Sequence, residues 1–318
     1  MTTGPANHRP SAGWAHALVT GGAGFIGAHL TRALLNDGRR VTVLDNLSVG
    51  RREVVDARAR FVQGDIRDDA SLSDALNGVD CVFHLAAQVT IRGSFDRCVE
   101  DLDTNVLGTA RLLRALDPSR IKWFTLASSM AVYADAPAAA PISESYPTRP
   151  LSPYGVGKLA AEDVSDQILA ARGIPFTALR FFNTYGPGQT FTPYVGVLTI
   201  FITRLLRGES ITIFGDGEQR RDFIHVSDIV AGVMATPGRA PGRYNLGTGR
   251  GTSLNQLAGL VLAKLAAGTT ATYAPAQAGE LRFSVADITA ARTALGFAPR
   301  RSLDRDLDEL IDYVRRTL

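Results

Sequence analysis

The feature that most restricts the fold is a glycine-rich run, Thr20-Gly-Gly-Ala-Gly-Phe-Ile-Gly27, between an apolar stretch and a segment with helical periodicity. Gly21 lets the chain turn tightly, Gly24 lets the backbone approach a pyrophosphate, and Gly27 lets the helix pack on the strand. The start of that helix offers unpaired N–H groups and a positive dipole end to phosphate oxygens. A strand, this run and a helix in succession predict a dinucleotide-binding unit.

An acidic residue stands where such a unit requires one. Asp45 ends the next apolar stretch, Val41–Asp45, roughly twenty residues beyond the glycines. A carboxylate there accepts hydrogen bonds from both ribose hydroxyls and repels a 2′-phosphate, so the sequence favours NAD over NADP. The alternative interpretation is that Asp45 only shapes the turn formed by residues 45–48.

Short apolar stretches alternate with longer amphipathic ones up to about residue 182. The predicted strands are 15–20, 41–45, 60–62, 81–85, 122–127 and 176–181, and the predicted long helices are 25–36, 99–116 and 154–172. This alternation predicts an α/β fold with a Rossmann-type, doubly wound parallel sheet. We assign residues 15–182 to an NAD-binding domain. Residues 183–318 are assigned mainly to a smaller α/β lobe for the substrate, with some chain crossing back to the first domain.

Composition and charge argue against several classes of protein. The formal net charge of the 318 residues is only +3, and no Lys/Arg run is interleaved with aromatic residues, so no nucleic-acid partner is expected. No stretch reaches the roughly 18 apolar residues of a membrane span. Cys81 and Cys98 supply neither a disulfide framework nor a metal-ligand spacing. Residues 1–14 are predicted to be a disordered leader rather than a signal peptide, so a cytoplasmic location is expected.

Five further motifs follow the glycine run in order. They are HLAAQ at 84–88, SSMAVY at 128–133, YGVGK at 154–158, RFFNTYGPG at 180–188 and RRDFIHVSD at 220–228. With these motifs the chain resembles the extended short-chain dehydrogenase/reductase family, in its NAD-dependent epimerase/dehydratase branch, and is most similar to the UDP-hexose 4-epimerases. The resemblance runs from about residue 15 to the C-terminus.

Tyr154 and Lys158 are four residues apart, so on a helix they share one face. A phenol with a pKa near 10 is a poor base at pH 7. A neighbouring ammonium group and a positively charged nicotinamide both favour the phenolate, so we expect the pKa of Tyr154 to be lowered. Ser129, just past a predicted strand, is expected to hydrogen-bond the same sugar hydroxyl. These three residues form the predicted catalytic set; the alternative for Tyr154 is packing on a buried helix face.

The glycine fingerprint and the resemblance together assign residues to the cofactor. Asp65 and Ile66 are placed to hold adenine, although Asp65 would serve equally as a helix cap. Asn105 is expected to support the site through backbone contacts, and His84 is interpreted as structural. The predicted cofactor-binding residues are Gly21, Gly24, Phe25, Ile26, Gly27, Asp45, Asn46, Ser48, Gly50, Asp65, Ile66, Leu85, Ala86, Ala87, Gln88, Asn105, Tyr154 and Lys158.

The resemblance also implies a substrate site. Asn183 and Arg221 match the family residues that hold the sugar diphosphate, and a guanidinium fork suits two phosphate oxygens. Arg282 is a second candidate. Ser284 falls at the family's pocket-gating position, where a small side chain leaves room for a 2-acetamido group. Ser129 and Tyr154 complete the predicted substrate-binding set.

The chain departs from the family pattern at several positions. Gln277 stands where an arginine is common, so one phosphate contact is lost unless Arg282 replaces it. Gly157 stands where serine is common, and Ala134 where glycine usually follows Val-Tyr. Tyr133 is expected either to line the sugar pocket or to pack.

The residues after Ser129 bear on the type of reaction. Dehydratases and decarboxylases of this branch carry an acid there, whereas this chain has Met130 and Ala131, which neither remove nor donate a proton. Glucuronate 4-epimerases usually carry an arginine after Tyr-Gly-Pro, whereas this chain reads Gly188-Gln189-Thr190; Arg92 is an alternative partner for a carboxylate.

The resemblance therefore implies NAD-dependent 4-epimerisation of a UDP-sugar of the UDP-glucose/UDP-galactose type, with the N-acetyl forms included, by transient oxidation at C4. The alternatives left open are a UDP-hexuronic acid epimerase, a nucleotide-sugar dehydratase and a non-catalytic NAD-binding sensor. The resemblance also implies a homodimer, formed by a four-helix contact of helices 99–116 and 154–172.

Overall fold

The computed structural model describes residues 13–136, 138, 140–189, 196–265, 270–276 and 281–318. Within these ranges the strands are β1 His16–Thr20, β2 Arg40–Asp45, β3 Arg60–Gln63, β4 Cys81–His84, β5 Trp123–Ser129, β6 Phe176–Phe181, β7 Asn183–Tyr185, β8 Thr212–Phe214, β9 Arg220–His225, β10 Gly242–Leu246, β11 Gly251–Ser253, β12 Thr272–Ala274 and β13 Phe283–Ser284. The α-helices are α1 Phe25–Asn36, α2 Asp69–Ala75, α3 Gly93–Asp96, α4 Cys98–Leu102, α5 Thr109–Ala115, α6 Pro153–Ala171, α7 Val197–Leu206, α8 Val226–Met234, α9 Leu254–Leu265, α10 Thr289–Leu295 and α11 Leu303–Thr317.

The larger sheet has the strand order β10-β6-β5-β4-β1-β2-β3, and all its strand pairs are parallel. Its central strands are apolar on both faces, as a parallel sheet covered by helices requires. Neighbouring residues of β1 point to opposite sides: Leu18 packs in one apolar cluster and Val19 in the other. The predicted doubly wound Rossmann-type fold is confirmed.

The sheet places its loops where a nucleotide can bind. The chain runs outward from β1 to β2 and β3, then returns to β4 on the other side of β1. The loops that follow β1 and β4 therefore diverge at the carboxyl edge of the sheet, which is where open α/β sheets bind their ligands.

A smaller lobe is built around β9. Strands β7, β11 and β13 pair with β9, and α7, α9 and α11 pack on this lobe through a separate apolar cluster. Strand β10, although it lies beyond residue 183, joins the larger sheet beside β6. The preceding helix α8 packs against α1, so the chain passes between the two parts more than once.

Three predicted boundaries differ from the structure. Strand β5 continues to Ser129, which therefore ends the strand rather than following it. The predicted helix 99–116 is divided into α4, a π-helical turn at Asp103–Gly108, and α5. Trp14 was assigned to the leader, yet it is buried against Phe83, with the Arg39 guanidinium 3.9 Å from its ring centre. The rest of the predicted leader, residues 1–12, lies outside the described residues.

Replacing Gly27 by alanine should destabilise the fold, because a β-carbon there would lie 2.1 Å from the Gly21 carbonyl oxygen. We expect Gly27→Ala to lower the free energy of unfolding in urea by about 1–3 kcal/mol. The matched control is Gly259→Ala in α9, where a β-carbon meets nothing within 4 Å. That variant should be unchanged or more stable by up to about 1 kcal/mol. Equal stability of the two variants would contradict this account.

Candidate active site

The glycine-rich loop after β1 lies directly against the loop after β4. A β-carbon at Gly21, whose φ is +71°, would lie 2.7 Å from the Ala86 backbone nitrogen. Gly24 precedes α1 without a side-chain cap, so the first-turn N–H groups of that helix face outward. This cradle of backbone donors, free of side chains, fits the pyrophosphate of a dinucleotide.

Asp45 ties the loop after β2 to the glycine-rich loop. One carboxylate oxygen accepts the Ala23 N–H at 2.9 Å and the other accepts the Leu47 N–H at 2.8 Å. A β-carbon at Gly50 would lie 2.8 Å from Ala23, so the two loops pack closely there as well. Each oxygen keeps a second lone pair, which suits the two hydroxyls of a ribose. Asp45 therefore shapes the turn and stands where the ribose is expected.

Asp65 lies in a polar cluster with Asn46. Its carboxylate accepts the Asn46 side-chain N–H at 2.8 Å and pairs with the Arg67 guanidinium at 2.7 Å. The hydrogen bonds from Arg67 hold the pKa of Asp65 well below its usual value. Helix α2 is capped by Asp68, which accepts the Ser71 N–H at 2.8 Å, so Asp65 is not its cap.

His84 is held as a neutral structural residue. One ring nitrogen lies 2.7 Å from the Thr20 hydroxyl and the other 2.9 Å from the Thr109 hydroxyl. Burial, with a further contribution from the charge of Lys158, lowers the pKa of His84 to about 3. Both ring nitrogens are engaged, as expected of a structural histidine.

Asn105 fixes the loop that follows β4. Its side-chain oxygen accepts the Gln88 N–H at 2.8 Å and its amide donates to the Gln88 carbonyl at 3.0 Å. The same amide donates to Asp101 at 3.0 Å. The π-helical turn carries this asparagine, and such turns are frequent at functional sites. The position agrees with the backbone-support role expected for Asn105.

Tyr154 and Ser129 are both buried and line the same cleft. Helix α6 begins immediately before Tyr154, with Pro153 in the first turn and Ser152 accepting the Gly155 N–H at 3.2 Å. Burial raises the pKa of Tyr154 to about 12, the nearby Ser129 hydroxyl opposes that rise, and the charge of Asp101 adds to it.

The lowering expected from the sequence depends also on the charge of a bound nicotinamide. For the chain by itself burial is the largest cause, and the Lys158 Nζ donates to the Ala127 carbonyl at 2.9 Å and lies 6.0 Å from the Tyr154 ring centre. Burial lowers the pKa of Lys158 to about 8, while the charges of Asp101 and Glu162 raise it. The chain's own groups therefore leave the phenol protonated at neutral pH.

Glu162 is an important residue that the sequence analysis missed. It accepts hydrogen bonds from the Ser128 hydroxyl and, at 2.7 Å and 3.0 Å, from Arg180; Arg243 donates to it at 3.1 Å. This buried cluster joins α6 to β5, β6 and β10 directly behind Ser129. Glu162 could have been found from the sequence because it lies four residues after Lys158, as Lys158 lies four after Tyr154, so all three share one helix face.

A cleft between the two parts of the molecule brings together four predicted residues: Ser129, Tyr154, Asn183 and Arg221. The Asn183 side-chain oxygen is buried without a partner among the described residues, and the Arg221 side chain is 6% exposed. The remaining described residues that line the cleft are Val89, Ile91, Arg92, Met130, Ala131, Leu151, Phe181, Phe182, Gly196, Val197, Ile200, Phe201, Thr212, Phe214, Gln219, Leu254 and Leu281. Many of them are apolar residues from distant segments, and no local sequence pattern shows that they meet in one cleft.

The structure places the other two predicted substrate residues elsewhere. Arg282 is half exposed, pairs with Asp216 at 2.8 Å and is not among the residues that line the cleft, so its contact with a phosphate stays a prediction. Ser284 is buried in β13 opposite Arg221 and is not part of the described wall either. Gln277 lies outside the described residues. Tyr133 is buried and donates to Asn245 at 2.6 Å, so it packs rather than lining the pocket.

Comparisons with known proteins agree with this architecture. Residues 17–247 match the NAD dependent epimerase/dehydratase family. A UDP-glucose 4-epimerase of Mycolicibacterium smegmatis is 36% identical over 307 residues, which cover 94% of this chain and 98% of that protein. The chain belongs to the NAD dependent epimerase/dehydratase family. This confirms the prediction that the protein is an enzyme of this class and the prediction that its cofactor is NAD.

Two solved structures are similar over nearly the whole length. A UDP-glucose 4-epimerase of Thermotoga maritima, determined with UDP-glucose, is 36% identical with a TM-score of 0.91, covering 95% of this chain and 99% of that one. A UDP-N-acetylglucosamine 4-epimerase of Methanobrevibacter ruminantium, in complex with UDP-N-acetylmuramic acid, is 32% identical with a TM-score of 0.89, covering 96% and 99%. At the family level these relatives support UDP-sugar 4-epimerase activity.

The buried neutral state of His84 predicts a pH dependence of stability. The folded pKa of about 3 lies below the ordinary histidine value of 6.5, so protonation favours the unfolded chain as the pH falls below 6.5. Between pH 7 and pH 5 this residue should cost about 2 kcal/mol of the free energy of unfolding. In urea titrations at both pH values, the free energy of unfolding of His84→Asn should fall less with acid than that of the wild type, although the variant is less stable at pH 7. His29→Asn, at a half-buried position, is the control; equal pH slopes in the two variants would count against a buried neutral His84.

Proposed function

We propose that the protein interconverts UDP-sugars that differ at C4, of the UDP-glucose/UDP-galactose type, and that it accepts their N-acetyl forms. One observation carries the proposal: the hydroxyl-bearing side chains of Ser129 and Tyr154 line the same cleft as Asn183 and Arg221. The hydroxyls serve the reacting carbon, and the amide and guanidinium hold the diphosphate.

NAD bound here would supply a reversible hydride acceptor for C4 of the sugar. The backbone donors of Gly21–Gly27 would hold its diphosphate, and Asp45 would hold its adenosine ribose. Tyr154 takes the proton of the C4 hydroxyl as the carbonyl forms and returns it in the second half of the cycle. Ser129 orients the same oxygen. Lys158 places a positive charge 6.0 Å from the centre of the Tyr154 ring.

The composition of the cleft favours epimerisation over dehydration. Elimination across C5 and C6 needs one group to remove a proton and another to protonate the leaving hydroxyl. The described lining residues include no Asp or Glu, and Met130 and Ala131 occupy the wall after Ser129. A cleft without such a pair suits a reaction that needs a single proton carrier at C4.

A UDP-hexuronic acid is the second candidate substrate, because of Arg92. This arginine lines the cleft, and its guanidinium carbon lies 5.2 Å from the centre of the Phe214 ring. A second cation near Arg221 favours a substrate with a carboxylate in addition to the diphosphate.

We also infer a homodimer through α4, the π-helical turn and α6. Val99, Leu107 and Val156 are exposed apolar side chains on these helices, and such a patch suits burial against a second copy. None of the helices in the described ranges is both long and apolar enough to cross a membrane. A cytoplasmic location stays a prediction.

Replacing the phenol should abolish turnover. In Tyr154→Phe we expect interconversion of UDP-glucose and UDP-galactose to fall at least a hundredfold, because the proton acceptor is lost, while NAD remains bound. The measurement is product analysis by NMR and mass spectrometry over UDP-glucose, UDP-N-acetylglucosamine and UDP-glucuronic acid. The matched control is Tyr273→Phe, an exposed tyrosine that bonds Asn255 and should leave turnover unchanged. Full activity of the Tyr154 variant, or a product that has lost water or CO₂, would refute the proposal.

The dimer can be tested at the same helices. Val99→Asp introduces a charge into the exposed apolar patch, so we expect light scattering after gel filtration to show a monomer where the wild type shows a dimer. Val49→Asp, at an exposed valine in the loop after β2, should not change the mass. A monomeric wild type at micromolar concentration would exclude this dimer.

A further inference from the structure

Asp101 is a buried carboxylate that the mechanism above does not use. Asp101 is 2% exposed, although it lies on α4 between the exposed Glu100 and Leu102. One carboxylate oxygen accepts the Asn105 amide at 3.0 Å, and the other is buried without a partner among the described residues. A buried carboxylate with half its acceptor capacity unused is costly unless it serves a charge nearby.

The backbone of α6 admits Asp101 because position 157 is glycine. A β-carbon at Gly157 would lie only 3.3 Å from the bonded oxygen of Asp101 and 3.5 Å from the Asn105 β-carbon. The carboxylate therefore sits against the helix backbone next to Lys158.

The titratable groups around Lys158 come from three elements. Asp101 faces it from α4 and Glu162 from its own helix, and His84, which is neutral, lies on β4. Glu162 is already paired with Arg180 and Arg243, whereas Asp101 has only the neutral Asn105. Of the two carboxylates, therefore, Glu162 is neutralised by arginines and Asp101 is not, among the described residues. Burial strengthens the interaction of Asp101 with a nearby ammonium group.

We propose that Asp101, held against Gly157 by Asn105, is a positioning residue that keeps the proton on Lys158 and thereby sets the pH range in which Tyr154 works. Its negative charge favours the ammonium form of Lys158 and disfavours the phenolate of Tyr154. Removing the charge should therefore move the titration of both groups toward lower pH. The effect on Tyr154 turnover rests on the proposed function; the effect on Lys158 does not.

The small number of lysines makes a direct test possible. The chain has three, Lys122, Lys158 and Lys264, so selective ¹³Cε-lysine labelling gives three NMR signals, and Lys158→Met assigns the one of interest. In Asp101→Asn, which keeps the side-chain shape and the contact to Asn105, we expect the Lys158 midpoint to fall by about half a pH unit or more. The matched control is Glu100→Gln, which removes the neighbouring, exposed charge on the same helix and should leave the midpoint in place.

Turnover supplies the second readout. If the protein epimerises UDP-sugars, the pH profile of kcat in Asp101→Asn should move as a whole toward acid, by a similar amount. An unchanged Lys158 midpoint, or a fall in kcat that is equal at every pH, would overturn the inference and leave Asp101 a structural residue. A shifted Lys158 midpoint in a protein that turns over no UDP-sugar would support the inference and refute the proposed function instead.

Discussion

The close approach of two loops at the carboxyl edge of the sheet is the constraint on which the site depends. Residue 21 lies so near the Ala86 nitrogen that only a glycine fits, and its φ of +71° is unfavourable for other residues. Because β1 and β4 are adjacent while the chain continues from β1 toward β2, this contact forms where the strand order reverses. The dinucleotide cradle and the substrate cleft both open from that edge.

Burial, rather than charge pairing, dominates the electrostatics of Tyr154, Lys158 and His84. The phenol, the ammonium group and the neighbouring imidazole all lie in the interior, and for each the first cause of its shifted pKa is loss of solvation. In each case desolvation favours the uncharged form. The few ions that remain close by, Asp101 and the Glu162 cluster, therefore act at short range with little screening, and their placement governs where the proton resides.

The buried cluster of Glu162, Arg180 and Arg243 has a structural consequence as well. It joins the helix that carries the phenol to three strands of the sheet, one of which ends at Ser129. Breaking a buried ion pair by removing one partner is strongly destabilising, because it leaves an uncompensated charge. The positions of Ser129 and Tyr154 are thus supported by buried groups that are not among the described residues lining the cleft.

Much of the fold and part of the site could be predicted from local patterns. The strand-glycine-helix succession and the alternation of apolar stretches specify a parallel sheet, since backbone sterics and burial act within short segments. The four-residue spacing of Tyr154 and Lys158 places both on one helix face for the same reason. The dinucleotide end is predictable because its donors are backbone groups in consecutive residues.

Only the tertiary structure decides quantities that depend on distant segments meeting. It directs Lys158 to the Ala127 carbonyl, and it buries the Tyr154 phenol, which raises the pKa of that group. It pairs Arg282 with Asp216 at the surface, and it brings Asp101 against Gly157. The sequence by itself determined the sheet, the cofactor loop and the residue types of the catalytic helix, because these follow from neighbours along the chain. Packing determined desolvation and ion pairing, because both depend on which side chains exclude water from one another.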